Sequence, residues 1–196
     1  YLPSLTFLNL SSNGFDSLDH IFGLKNLQVL NLAGNKLTVL PTGIQRLENL
    51  KALICNNNEI KSLNSVVLPV SLNTLVVSHN QLEQLDAPLG HLKSLTKLSA
   101  SHNRLLSLPE RLPSGLKELR VNDNRLTSLP CLPVGLSIVD VGNNRLSKES
   151  LATGLDGLGR LKNLNTRGCP GDGVELARCR ALEIVNGKPL PTRRRK

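Results

Sequence analysis

The phrase Leu-x-x-Leu-x-Leu-x-x-Asn-x-Leu recurs in seven near-complete copies between residues 5 and 146. The asparagines of successive copies are 20 to 23 residues apart, at Asn13, Asn35, Asn58, Asn80, Asn103, Asn124 and Asn144. A fixed period of this size is the signature of a solenoid, in which each repeat stacks on the next. One repeat cannot bury its leucines alone, so the period predicts a single elongated stack of coils.

Each copy begins with the pattern of a short strand. In residues 50–60, Leu53 and Cys55 alternate with Ala52 and Ile54, the period of two that sends neighbouring side chains to opposite faces. We expect the leucines to point inward and Cys55 to be a buried thiol. The asparagine suits the turn after the strand, where its amide can bond backbone groups of adjacent coils. The sequence therefore predicts one parallel strand per coil.

The segments that connect the strands fall into two groups. Repeats of 22 or 23 residues leave room for a short helix or 3₁₀ turn, as in residues 41–49. The two shorter repeats, of 21 and 20 residues, carry Pro109, Pro113, Pro130 and Pro133. Proline removes a backbone donor and restricts the residue before it, so these connectors are predicted to be extended.

The repeated phrase resembles that of the leucine-rich repeat family, and the resemblance covers essentially residues 1–190. It implies an α/β fold: a right-handed leucine-rich repeat solenoid with a parallel β-sheet on the concave face. The convex segments would be short helical, 3₁₀ or extended. The expected division is residues 1–168 for seven clear repeats and one degenerate repeat, 169–190 for a C-terminal cap, and 191–196 for a basic tail.

The stretch LKNLNTRGCP, followed by GDGVELARCRALEIVNGKPL, is similar to the terminal cap of intracellular members of the family. Such caps occur in phosphatase-regulatory, spliceosomal and axonemal dynein-associated members. Asp172 and Glu175 have the spacing of a capping box at a helix start. Two positions depart from the repeat: Thr166 stands where leucine is expected, and Cys169 replaces the asparagine.

Composition bears on location. The sequence contains no run of about 18 apolar residues and no signal-peptide pattern. Its four cysteines do not flank the repeats in pairs, which favours a reducing compartment. We therefore predict an intracellular, cytoplasmic location, with the nucleus or the cilium as alternatives. Because the chain opens at Tyr1 inside a repeat phrase, we also expect it to be a fragment of a longer protein.

Outward positions of the strands should line up in columns across the concave face. Five of them are apolar in the first repeats: Phe7, Val29, Ala52, Ile54 and Val76. Four are charged in the later repeats: Lys97, Glu118, Arg120 and Asp140. An apolar patch rimmed by polar residues often marks a protein interface, so we predict that these nine residues bind a segment of a partner protein. The simpler explanation is that strands favour β-branched residues; the convex face, an edge or missing segments are alternative binding surfaces.

Two further columns of polar residues are weaker candidates for a functional site. His79, His102 and Asp123 occupy one column, beside Ser101, but an open face lacks the pocket and oxyanion donors of catalysis. Lys and Arg are ordinary residues at the positions of Arg104, Arg125 and Arg145, although that column could grip phosphate or an acidic partner. We therefore predict a chain that is not an enzyme, with no catalytic residue, cofactor or metal site.

The predicted function is that of a non-catalytic scaffold or adaptor subunit in a larger intracellular assembly. One alternative is the recognition domain of a multidomain enzyme, such as a ubiquitin ligase or phosphatase complex. Another is a ribonucleoprotein-associated subunit that uses the basic tail. The net charge is +9, and the tail contains Arg193, Arg194, Arg195 and Lys196. No aromatic residue is interleaved with them, which argues against single-stranded nucleic acid as the partner.

Overall fold

One strand per repeat builds a single sheet, because the alternating pattern gives each strand one apolar side to bury. The computed structural model describes residues 4–18, 21–64, 66–85, 89–173, 179 and 181–190. The strands follow one another in chain order across the sheet. They are β1 (Phe7–Asn9), β2 (Val29–Asn31), β3 (Ala52–Ile54), β4 (Thr74–Val76), β5 (Lys97–Ser99), β6 (Glu118–Arg120), β7 (Ile138–Asp140), β8 (Asn163–Asn165), β9 (Ile184–Val185) and β10 (Lys188–Pro189).

Neighbouring strands from β1 to β9 are parallel, and β10 returns antiparallel to β9. The central leucine of each repeat faces the core: Leu30, Leu53 and Leu75 are fully buried. The chain is thus a solenoid of about eight turns with its sheet on the concave face, and the predicted fold class is confirmed.

The repeated asparagines hold consecutive coils together. The Asn58 amide nitrogen donates to Leu32 O at 2.9 Å in the preceding coil and to Cys55 O at 3.1 Å in its own. Its carbonyl oxygen accepts from Leu37 N at 3.0 Å. The same arrangement recurs at Asn80, Asn103, Asn124 and Asn144. These bonds satisfy buried backbone groups at each turn, which is why the phrase repeats its asparagine.

In most coils the connectors have the conformation that the sequence predicts. Short 3₁₀ turns lie at Ile21–Gly23, Ile44–Arg46 and Leu89–His91, and the proline-rich connectors 106–115 and 127–135 contain no helix. Connector 61–71 differs, because its described residues form no helical turn although its repeat is long enough for one. Its β-branched valines and Pro69 disfavour helical geometry.

One α-helix, α1 (Lys148–Leu155), packs on the convex side among the described residues, and the sequence had not indicated it. Ser147 caps its start by accepting a hydrogen bond from Ser150 N at 3.2 Å. Leu151 and Leu155 are buried. Gly154 permits the close approach, because a Cβ there would lie 2.5 Å from Leu129 Cβ.

A polar network closes the C-terminal end of the sheet. Thr166 is buried in the slot where leucine was expected, and its hydroxyl donates to Asp172 Oδ1 at 2.7 Å. That bond, together with one from Asn186 at 2.9 Å, holds the pKa of the Asp172 carboxyl below its usual range. Asn186 and Gly187, with φ of 52° and 75°, form the tight turn between β9 and β10.

Cys169 occupies the asparagine slot of the last repeat. Its thiol is buried and donates to Val141 O at 3.2 Å, the contact that an asparagine amide makes in earlier coils. The predicted cap helix after Asp172 cannot be compared, since Glu175 and the other residues of 174–178 lie outside the described residues. The intracellular type of the cap and the division at residues 168 and 190 stay predictions.

Candidate functional site on the concave face

The apolar residues predicted to face outward form one continuous surface. Strand register places Phe7 beside Val29 and Val29 beside Ala52, while Ile54 lies beside Val76. Ala52 and Ile54 share β3 and therefore join the two rows. The Phe7 residue is 56% exposed and the other four are half-buried. We call these five residues the apolar patch.

Three of the four predicted charged residues form a bonded cluster. Glu118 Oε1 accepts from Lys97 Nζ at 3.2 Å and from Arg120 Nε at 2.6 Å. Partial burial raises the pKa of Glu118, but the hydrogen bonds and charges of Arg120 and Lys97 outweigh it, so this pKa lies below its usual range. The carboxylate stays ionised near neutral pH and holds both cations. We call these three residues the charged cluster.

Asp140, the fourth predicted charged residue, is engaged at the end of its own strand. Its Oδ1 accepts from Gly142 N at 3.2 Å and from Asn165 Nδ2 at 2.8 Å. Among the described residues it forms no ion pair with Arg120, although the two are register neighbours. The structure therefore places Asp140 on the concave face but outside the charged cluster.

A low polar floor adjoins the apolar patch and the charged cluster, and the sequence analysis had named only its Ser101. Ser78, Ser99 and Ser101 are 7% to 9% exposed although they stand at outward positions. The hydroxyls of Ser78 and Ser99 bond each other at 2.9 Å, and Ser101 N donates to Ser78 Oγ at 3.2 Å. Small residues at consecutive outward positions, flanked by longer ones, were the available signal. We call these three residues the serine floor.

The column that contains the histidines is a turn position. Its members all have positive φ, between 51° and 66°: Ser12, Gly34, Asn57, His79, His102, Asp123 and Asn143. This left-handed geometry explains why asparagine, aspartate and glycine are frequent in the column. The rings of His79 and His102 stack with centroids 4.1 Å apart, and His102 Nε2 lies 3.4 Å from Asp123 Oδ2.

These groups do not assemble into a catalytic arrangement of serine, histidine and aspartate. The Ser101 hydroxyl donates to Asn122 Oδ1 rather than to His102. Burial raises the pKa of the Cys55 thiol far above its usual range, so Cys55 is not an available nucleophile. No group of three or more metal-ligating side chains occurs among the described residues.

A separate groove of about 620 Å³ lies on the convex side, between the connector that precedes β7 and helix α1. Cys131, Val134, Ala152 and Asp156 line it. It shares no residue with the apolar patch or the charged cluster. Within the ranges that the structure describes, no helix has the length and apolar character needed to span a bilayer.

Comparison with known proteins agrees with this architecture. Residues 3–60 match the family model described as "Leucine rich repeat". The chain is 36% identical over 134 residues to Toll-like receptor 2 of Ovis aries, covering 65% of this chain and 15% of the relative. It is 32% identical over 178 residues to Podocan-like protein 1 of Mus musculus, covering 83% of this chain and 31% of the relative. The chain thus spans less than a third of either relative.

A solved structure extends the similarity over nearly the whole chain. The YopM structure, described as a leucine-rich effector protein from Yersinia pestis, superposes with a TM-score of 0.74 at 30% sequence identity. The match covers 94% of this chain and 55% of YopM.

Proposed function

The chain is a leucine-rich repeat solenoid, and from that premise we propose that its concave face binds a segment of another protein. The observation that carries the proposal is the apolar patch, whose five side chains are contiguous and whose Phe7 is 56% exposed. Exposed apolar surface of this kind gains free energy when a partner removes it from water. The charged cluster on the same face gives that partner a second point of contact.

The relatives support a recognition role. Toll-like receptor 2 is by name a receptor and YopM is described as an effector, and each shares this repeat architecture with the chain. We propose that the chain acts without catalysis, as a scaffold or adaptor within a larger assembly. A second candidate function is that the same face is the recognition part of a multidomain protein. It is favoured because the relatives are much longer than the region they share with this chain.

We place the assembly inside the cell, in the cytoplasm. All four cysteines are free thiols, which supports a reducing compartment. Cys169 and Cys179 each bond a separate backbone carbonyl, that of Val141 and that of Leu155. The alternative partner, nucleic acid bound by Arg193, Arg194, Arg195 and Lys196, involves a tail that lies outside the described residues.

The substitution Val76→Glu tests the proposal. Val76 lies at the β4 end of the apolar patch, beside Ile54. A carboxylate there would be desolvated by an apolar partner, so the variant should lose partner capture while remaining folded. The unchanged chain and the variant are used as baits in lysate of the source cell, and retained proteins are identified by mass spectrometry.

Val70→Glu is the matched control, because Val70 lies on the convex connector that precedes the same strand and is 67% exposed. It should retain the partners that the unchanged chain retains. Circular dichroism and the midpoint of urea unfolding establish that both variants fold. If folded Val76→Glu captures the same proteins as the unchanged chain, the concave face is not the binding surface.

A further inference from the structure

The charged cluster leaves one guanidinium edge available. Arg120 uses Nε to bond Glu118 Oε1 at 2.6 Å, and the described residues offer no partner to its two terminal nitrogens. The Arg120 side chain is 46% exposed. Because Glu118 fixes the guanidinium from one side, the Arg120 side chain loses less conformational entropy when a ligand binds the free edge.

The same cluster carries an excess of positive charge. Lys97 and Arg120 contribute two positive charges and Glu118 one negative charge, which leaves one positive charge unbalanced. The nearby Asp123 and Asp140 form no ion pair with Lys97 or Arg120 among the described residues. Asp140 bonds Gly142 and Asn165, and both Asp123 oxygens accept from asparagines, Oδ2 from Asn122 at 2.6 Å and Oδ1 from Asn143 at 2.8 Å. A single carboxylate matches this charge better than a phosphate, which carries nearly two negative charges.

The separation from the apolar patch is set by the sheet. Ile54, Val76, Ser99 and Arg120 are consecutive register neighbours in one column. With strands about 4.8 Å apart, Ile54 and Arg120 are separated by roughly 14 Å, a distance that about four residues of extended chain span. Ser99 lies between them and belongs to the serine floor, whose hydroxyls are bonded within the protein. This surface accommodates a passing backbone without requiring particular polar side chains.

We infer that the concave face binds an extended protein segment that carries two anchors. An apolar side chain packs on Ile54 and Val76, and an aspartate or glutamate about four residues away binds Arg120 and Lys97. The inference rests on the proposed function and specifies the partner: an extended segment that is both apolar and acidic. Charge-assisted contacts of carboxylate with guanidinium are the stronger class of hydrogen bond, so Arg120 determines specificity at the acidic position.

Selection from a phage-displayed library of random 12-residue peptides tests the inference without a known partner. The unchanged chain, Arg120→Gln and Arg111→Gln serve as targets. Arg111→Gln is the matched control, because it removes the same charge from an exposed position of the connector that precedes the same strand. Peptides selected on the unchanged chain and on Arg111→Gln should share apolar residues and an acidic residue at a fixed spacing. Peptides selected on Arg120→Gln should keep the apolar residues and lose the acidic one.

A synthetic peptide of the selected consensus gives the affinity. Replacing its acidic residue by the corresponding amide should weaken binding to the unchanged chain by about tenfold or more, and binding to Arg120→Gln hardly at all. Absence of an acidic preference, or an acidic preference that persists with Arg120→Gln, overturns the inference. Selected peptides that bind Val76→Glu as well as the unchanged chain, or a library from which no peptide is enriched, contradict the proposed function itself.

Discussion

The two sides of each strand differ in how much they vary. On the inward side, β3, β4 and β5 present leucine each time, at Leu53, Leu75 and Leu98. On the outward side the same three strands begin with alanine, threonine and lysine and end with isoleucine, valine and serine. Close packing restricts the inward residue to one shape, whereas solvent places no such restriction on the outward ones. The fold is therefore encoded by the inward residues of three-residue strands, and the specificity that we propose is assigned to the outward residues that alternate with them.

The largest expected difference between the inward and outward sides is in stability, and two adjacent residues of β4 test it. Leu75→Ala should lower the free energy of unfolding by about 4 kcal/mol, because it leaves a cavity at a fully buried site. Val76→Ala should cost less than about 1 kcal/mol, since Val76 is only half-buried. Equilibrium urea unfolding of both variants measures the difference. Comparable losses would show that the two sides of the strand are not energetically distinct.

A second test separates two neighbouring asparagines, of which only Asn58 occupies the repeated position of the phrase. Asn58→Ala should destabilise the chain by about 2 kcal/mol, because it leaves Leu37 N and Leu32 O without their partner. Asn57 is exposed with a φ of 55°, so Asn57→Gly should change stability by about 0.5 kcal/mol or less. Urea unfolding again reports both values, and a larger effect at Asn57 would contradict the assigned roles.

The smallest expected change in stability is at the last repeat, where Cys169 occupies the inward position that asparagine occupies in the other repeats. Cys169→Asn should raise the free energy of unfolding by up to about 1 kcal/mol, because an amide donates to Val141 O more strongly than a thiol does. Cys131→Asn, at an exposed position, is the control and should leave the unfolding midpoint unchanged. A destabilised Cys169→Asn would mean that the slot has adapted to the volume of sulfur rather than to its hydrogen bond.

Much of the fold could be predicted from the sequence, because the period fixes both strand spacing and register. The same register also placed the five residues of the apolar patch side by side. Helix α1 was not predicted, since its stability comes from the burial of Leu151 and Leu155 on a neighbouring coil rather than from a strong local pattern.

The finer geometry of the site depends on side-chain directions that a pattern does not contain. Lys97, Glu118 and Arg120 were each identified as charged, but their sharing of one carboxylate oxygen follows from rotamers. Asp140 was grouped with them and instead bonds Gly142 and Asn165 of β8. His79 and His102 suggested a catalytic or metal site in the sequence. Their alignment instead follows from a left-handed turn position, which residue type alone does not predict.

The asparagine ladder also governs how the molecule comes apart. Its inter-coil bonds join asparagine side chains to backbone groups 18 to 26 residues earlier, so every interior coil is fastened to the one before it and to the one after it. A middle coil cannot open without breaking both attachments, whereas a terminal coil breaks only one. Local unfolding should therefore begin at the two ends of the solenoid and advance inward. In a hydrogen-exchange measurement, the slowest-exchanging backbone amides should cluster around β4 and β5.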